Sequence, residues 1–233
     1  MNDLALPDPY QYIMGSIFPP LSAFGDLEEP TDTNEIRFAS ILMYGTQGSG
    51  KTELANTISY EAHKRYPGMV NSVMSKGSLW GLLDKGFMNK VAPINILFLD
   101  DLTSVIEDSN RDVRIRERSS IPFIFRVRHL MIEITGYTRG LIVMMLGLHD
   151  VYGCPKRLRV EPNIFMYRSL ATNKKDRDDA VTRLGRDLVD DWDRIVDTRN
   201  YDRSLWPKTA YKTRLRRGIV DMPKVSERYL RVL

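Results

Sequence analysis

Residues 38–52 read FASILMYGTQGSGKT, and this stretch decides the fold. Ile41, Leu42, Met43 and Tyr44 make a buried strand that runs directly into Gly45, Thr46, Gln47, Gly48, Ser49, Gly50, Lys51 and Thr52. Those eight residues follow the G-x-x-x-x-G-K-[ST] spacing of a phosphate-binding loop. Glycines let the backbone turn tightly with its N–H groups facing inward, and a following helix adds the positive end of its dipole at the same place. An anion is expected there. Lys51 is placed to reach the β- and γ-phosphates of ATP as a point charge, and the Thr52 hydroxyl to ligate the accompanying Mg²⁺. Downstream, Leu54, Ala55, Ile58 and Ala62 recur at helical spacing, with Lys64, Arg65, Pro67 and Gly68 as stop signals.

A second signature lies at Ile94-Asn95-Ile96-Leu97-Phe98-Leu99-Asp100-Asp101, an apolar strand ending in acid. A carboxylate at the carboxyl end of a central parallel strand stands beside the loop, so Asp100 is expected to hold Mg²⁺. Asp101 is then placed to orient or deprotonate the attacking water. Further strands are expected at residues 69–74, 141–148 and 164–167. Ser78 is read as the N-cap of a short helix. Residues 110–136 are read as helix interrupted at Pro122, with Arg111, Arg114 and Arg118 on one face. From Asp176 onward, Val181, Leu184, Leu188, Trp192 and Ile195 give one helix an apolar face toward the sheet.

His149 and Asp150 stand at the exit of the Leu141 strand. His149 has two readings, a group that senses the γ-phosphate or positions water, and a half-buried loop histidine with an ordinary hydrogen bond. Arg157 and Arg159 follow, either of them a candidate finger that stabilises transition-state charge in a neighbouring subunit.

The chain has 233 residues and a net charge of +4, which suits one sizeable core with appendages. Cys154 is the only cysteine, so an internal disulfide framework is excluded. The start, MNDLALPDPY, lacks the basic and apolar regions of a secretory signal, and the longest strongly apolar run, residues 141–148, is too short to span a bilayer. A cytoplasmic protein with no membrane partner is expected. Charge is divided between the ends. Residues 1–36 carry seven acids and no Lys or Arg; residues 203–233 carry nine bases against Asp221 and Glu227. The basic end can contact phosphate backbones, stay solvated, or pair with an acidic arm of a neighbouring subunit. Pro7, Pro9, Pro19, Pro20 and Pro30 between Tyr10, Tyr12, Phe18 and Phe24 argue against a regular element in the first 36 residues, which are read as an arm packed on this core or on the next subunit.

Taken together, the loop, the acidic strand end and the segment from His149 to Leu170, with its linker Pro155-Lys156-Arg157-Leu158-Arg159, resemble the additional-strand class of P-loop ATPases. Within that class they look most like the FtsK–HerA group and its small viral DNA-packaging ATPases. Two positions depart from the family pattern: His149 stands where Gln is usual, and Asp101 where Glu is common. The resemblance implies a RecA- or FtsK-like α/β fold, a three-layer α/β/α sandwich on a mostly parallel sheet. It implies an ATP-hydrolysing ring of identical subunits that moves double-stranded DNA in viral or mobile-element genome packaging, in the host cytoplasm if viral, with Arg157 or Arg159 acting in trans and a capsid or replication protein as partner. Residues 1–36 would form the arm, 37–200 the ATPase core and 201–233 a basic tail. The competing readings are an AAA+ helicase loader or replication initiator, which calls for a helical lid after residue 170, and a nucleotide-dependent switch with little turnover.

Overall fold

The computed structural model of the chain describes residues 8–25, 27, 35–76, 92–100, 136, 138–149, 162–168, 174–197 and 208–232. In chain order its strands are β1 (Glu35–Tyr44), β2 (Val70–Lys76), β3 (Ile94–Asp100), β4 (Arg139–Leu148), β5 (Ile164–Tyr167), β6 (Lys208–Lys212), β7 (Arg217–Asp221) and β8 (Arg231–Val232). Its helices are α1 (Pro9–Ile17), α2 (Lys51–Arg65), α3 (Lys174–Leu184) and α4 (Arg186–Asp197), with a 3-10 turn at Leu21–Phe24.

All eight strands join one sheet in the order β7-β6-β5-β1-β4-β3-β2-β8. From β5 to β8 the neighbours run parallel; β6 is antiparallel to β5 and β7 antiparallel to β6, so β6 alone runs against the rest. Strands buried on both sides read as unbroken apolar runs, which is why ILMY, INILFL and LIVMML stand out in the sequence. Their side chains alternate between two cores. Leu42, Tyr44, Leu97, Leu99, Met144 and Leu146 face Ala180, Leu184, Leu188 and Trp192 of α3 and α4. Ile41, Met43, Ile96, Phe98, Val143 and Met145 face Met14 and Ile17 of α1 and Leu54, Ile58 and Ala62 of α2. The result is a three-layer α/β/α sandwich, the architecture expected from the sequence.

Strand β4 lies between β1 and β3, so the acidic strand is separated from the loop strand by one additional strand. The chain leaves β1 through α2 toward β2 on one side, whereas β5 occupies the other side. This reversal opens a crevice at the carboxyl end of β1, where ligands of open α/β sheets bind.

Residues 9–17 form a regular element, contrary to the sequence reading. Pro9 is the first residue of α1, where its missing N–H and fixed φ suit a helix start, and the Asp8 carboxylate accepts from Gln11 N at 3.2 Å. Ile13, Met14, Ile17, Phe18 and Phe24 are buried against the chain's own core. Tyr66 holds this segment: its ring meets Phe18 and Phe24 edge-on, and its hydroxyl donates to the Pro19 carbonyl. Burial pushes that phenol up to about 12.

The single helix expected from Asp176 to Ile195 is two helices, broken at Gly185 with φ +93°. A Cβ there would lie 1.7 Å from the Arg217 guanidinium, which donates to the Leu184 carbonyl and so stops α3. Within the basic stretch near the end, residues 208–232 contribute three strands, β6, β7 and β8. After β7 the chain crosses α2 and returns at the opposite edge as β8. Thr57 Oγ1 donates to the Pro223 carbonyl at 2.8 Å, Asn56 Nδ2 to the Glu227 carbonyl at 2.7 Å, and Tyr229 N to Asn56 Oδ1 at 2.8 Å.

Candidate functional site

The glycine loop hangs from three strand ends. Gly45 N donates to the Leu148 carbonyl at the end of β4 (3.1 Å), and Arg168 N, just past β5, donates to the Tyr44 carbonyl at the end of β1 (2.8 Å). Ser49 N closes a turn onto the Thr46 carbonyl at 3.1 Å. Gly48 (φ +77°) and Gly50 (φ +80°) take the left-handed backbone that lets the loop fold inward, and Gly50 caps α2. A methyl group on Gly45 would lie 2.3 Å from Ser49 Oγ and 3.0 Å from the Arg168 carbonyl, so only glycine fits that close approach.

Lys51, 5% exposed, folds back over the loop. Its ammonium donates to the carbonyls of Gly45 (2.7 Å) and Thr46 (3.3 Å), and Nζ lies 3.2 Å from Nδ1 of His149. Thr52 Oγ1 donates to Asp100 Oδ2 at 3.2 Å. The sheet therefore brings the loop lysine Lys51, the helix hydroxyl of Thr52, the β3 carboxylate Asp100 and His149, the residue after β4, to one place. Gly147, beside Asp100, leaves space for the carboxylate: a Cβ there would sit 3.3 Å from Asp100 Oδ1. Asp101, Asp150, Arg157 and Arg159 lie outside the described residues, as do the Ser78 helix, the interruption at Pro122, and Arg111, Arg114 and Arg118.

Sequence reasoning missed Arg168. It is 4% exposed, and its Nη1 donates to the Gly50 carbonyl at 2.9 Å, at the point where loop becomes helix. Its only sequence signal was a base directly after a short apolar strand.

The donor set fits a nucleotide with Mg²⁺. Ser49 Oγ is a buried hydroxyl with no hydrogen-bond partner among the described residues, the kind of group a phosphate oxygen completes. Thr52 and Asp100 present adjacent hard oxygens of the type that Mg²⁺ accepts. Among the described residues no helix is long and apolar enough to cross a membrane.

A glycine loop between a central parallel strand and its helix, facing an acidic strand end one strand away, defines the P-loop NTPase fold of the additional-strand kind. No protein-family model matches this sequence, and comparison with curated protein sequences finds no match. Among solved structures, the chain is similar to B204, the DNA-packaging ATPase from Sulfolobus Turreted Icosahedral Virus, at 10% identity over 84% of this chain and 100% of that one (TM-score 0.47). It is similar to the monomer form of the conjugation coupling protein TcpA, at 12% identity over 79% of this chain and 60% of that one (TM-score 0.45). It is also similar to the FIGL-1 AAA domain in complex with ADP, at 15% identity over 85% of this chain and 66% of that one (TM-score 0.42). Each is a likeness of fold.

Proposed function

We propose that this protein is a Mg²⁺-dependent ATPase that works as a ring of identical subunits to move double-stranded DNA, in the packaging of a viral or mobile-element genome. The observation that carries the hydrolase is the convergence of Lys51, Thr52, Asp100 and His149 on one loop. Thr52 and Asp100 would hold Mg²⁺, which when bound neutralises phosphate charge.

The chain's own groups act around that charge. The Lys51 ammonium donates to the carbonyls of Gly45 and Thr46 and lies 3.2 Å from Nδ1 of His149. Phosphate oxygens are strong, charge-assisted acceptors for an ammonium, so Lys51 is assigned to the β- and γ-phosphates. His149, within hydrogen-bond distance of Lys51, is assigned to sense the γ-phosphate or position the attacking water. Asp101, one residue beyond Asp100, is assigned to orient or deprotonate that water, and Arg157 or Arg159 to reach a neighbour's nucleotide.

The DNA motor is favoured over the helicase loader by the chain after residue 170. A loader calls for a helical lid there, whereas α3 and α4 lie on the sheet and the chain re-enters it as β6, β7 and β8. The test is steady-state ATP hydrolysis with and without duplex DNA, alongside solution mass. Hydrolysis stimulated by duplex DNA in a ring-sized assembly, and lost in Lys51→Ala, is expected. A monomer with negligible turnover would overturn the motor and favour the nucleotide switch.

A further inference from the structure

We propose that the tip of the β6–β7 hairpin, with the groove beside it, is the surface that grips the backbone of duplex DNA; the choice of partner rests on the motor reading above. The two strands form a ribbon at the sheet's end, closing with Lys212 opposite Arg217. Thr213 makes the turn rigid. Its N and Oγ1 donate to the Arg216 carbonyl (2.8 and 3.0 Å), and Oγ1 accepts from Arg216 N (3.0 Å). Tyr12 of α1 fastens the turn from the side, with its hydroxyl 3.2 Å from Thr213 Oγ1 and its ring 5.2 Å from the Arg216 guanidinium. The tip is thus a fixed shape, and it carries Lys212, Arg214, Leu215 and Arg216 in five consecutive positions.

Lys212 and Arg214 are exposed and make no ion pair among the described residues, whereas Arg177, Arg183, Lys208 and Arg217 nearby are each paired with aspartate. Leu215 is 86% exposed between two arginines. Beside the tip lies a cavity of about 710 Å³ floored by Pro162 to Phe165, and none of its lining residues is acidic. Lys212 and Arg214, donors with no carboxylate paired to them among the described residues, match a phosphodiester backbone. The ribbon shape adds the second argument, because the major groove of B-DNA admits a two-stranded β-ribbon.

Position separates this surface from the nucleotide. In register, Phe165 pairs with Lys212 and Tyr167 with Ala210, so the tip stands at the amino end of β5 while the loop stands at the carboxyl end. DNA on the hairpin leaves the ATP crevice open, and hairpin substitutions leave DNA-independent hydrolysis unchanged.

The test compares K212E/R214E with K224E/R228E, an equal charge reversal at exposed positions of the strap across α2. Binding to two labelled duplexes of unrelated sequence is measured by fluorescence anisotropy over a salt series, with ATP hydrolysis measured in parallel. For K212E/R214E the expected result is a loss of affinity of about tenfold or more on both duplexes, and a salt slope smaller by about two. K224E/R228E should change affinity by less than about threefold. Equal losses in both variants, or none in either, overturn the assignment. A wild type that binds duplex through the hairpin but does not hydrolyse ATP supports this inference and removes the motor. A wild type that hydrolyses ATP in the presence of duplex without binding it overturns the hairpin and leaves the hydrolase standing.

Discussion

Arg168→Ala tests how the phosphate loop is held in place. Alanine keeps the backbone bond from residue 168 to the Tyr44 carbonyl, so β1 and β5 stay joined, and removes the guanidinium with its stem. That group is buried and donates to the Gly50 carbonyl at 2.9 Å. Deleting a hydrogen bond to a charged group costs about 1.5–3 kcal/mol. The Gly50 carbonyl keeps a second donor, Leu54 N at 3.0 Å, so that acceptor is not orphaned and the cost of this bond falls near the lower end, about 2 kcal/mol. Gly50 aims the last amide groups of the loop, so the loss should appear in nucleotide binding, as a decrease in affinity of roughly 30-fold for about 2 kcal/mol. Loss of a positive charge beside the phosphates acts in the same direction. The assay is titration with a fluorescent ATP analogue plus Mg²⁺, with thermal unfolding of each variant in parallel. Arg168→Lys keeps the charge but lacks the planar fork and should bind with intermediate affinity. If Arg168→Ala binds nucleotide within about twofold of wild type and unfolds at the same temperature, the guanidinium does not position the loop.

Gly140→Ala tests packing at the start of β4. Gly140 has φ +145°, and an added Cβ would lie 2.2 Å from the Pro93 carbonyl, so the substitution should cost about 3 kcal/mol in urea unfolding. Asn56→Ala should free the strap across α2. Two hydrogen bonds to Glu227 and Tyr229 disappear together, and hydrogen exchange of residues 223–230 should rise about 30-fold, for about 2 kcal/mol. His63 gives a pH dependence. Burial against Ser72 Oγ (3.2 Å) and the Tyr229 ring lowers its pKa from 6.5, so the unfolded chain binds more protons on the acid side. Its contribution is therefore full above pH 6.5 and is lost as pH falls through the lowered value. His63→Gln should lose less stability than wild type between pH 7.5 and 5.5; an unchanged pH dependence would contradict this assignment.

The loop and the acidic strand end were legible because their chemistry dictates residue type at fixed spacing: glycines where φ is positive, Lys51 and Thr52 at the helix start, Asp100 after six buried positions. The central strands were legible because burial on both faces leaves no polar alternation. What escaped depended on which strands are neighbours. Arg168 follows four apolar residues and reads as a surface base until β5 is placed beside β1, when the same side chain becomes a buried prop for Gly50. The helix break at Gly185 was hidden because the apolar stripe of Leu184, Leu188 and Trp192 continues in phase across it. The basic end was hidden by its own composition. Lys208 and Lys212 flank the buried Thr209, Ala210 and Tyr211, and a charge count over the segment conceals that pattern. These misses share a location. Arg168 ends β5, and β6 pairs with β5 and carries the basic tip at the opposite end. Strand β5 has four residues, about 13 Å of extended chain. A ligand at the loop and a polymer at the hairpin would thus be joined by a single short strand, an arrangement no residue spacing encodes because the contacts between β5 and β6 span more than 40 positions of sequence.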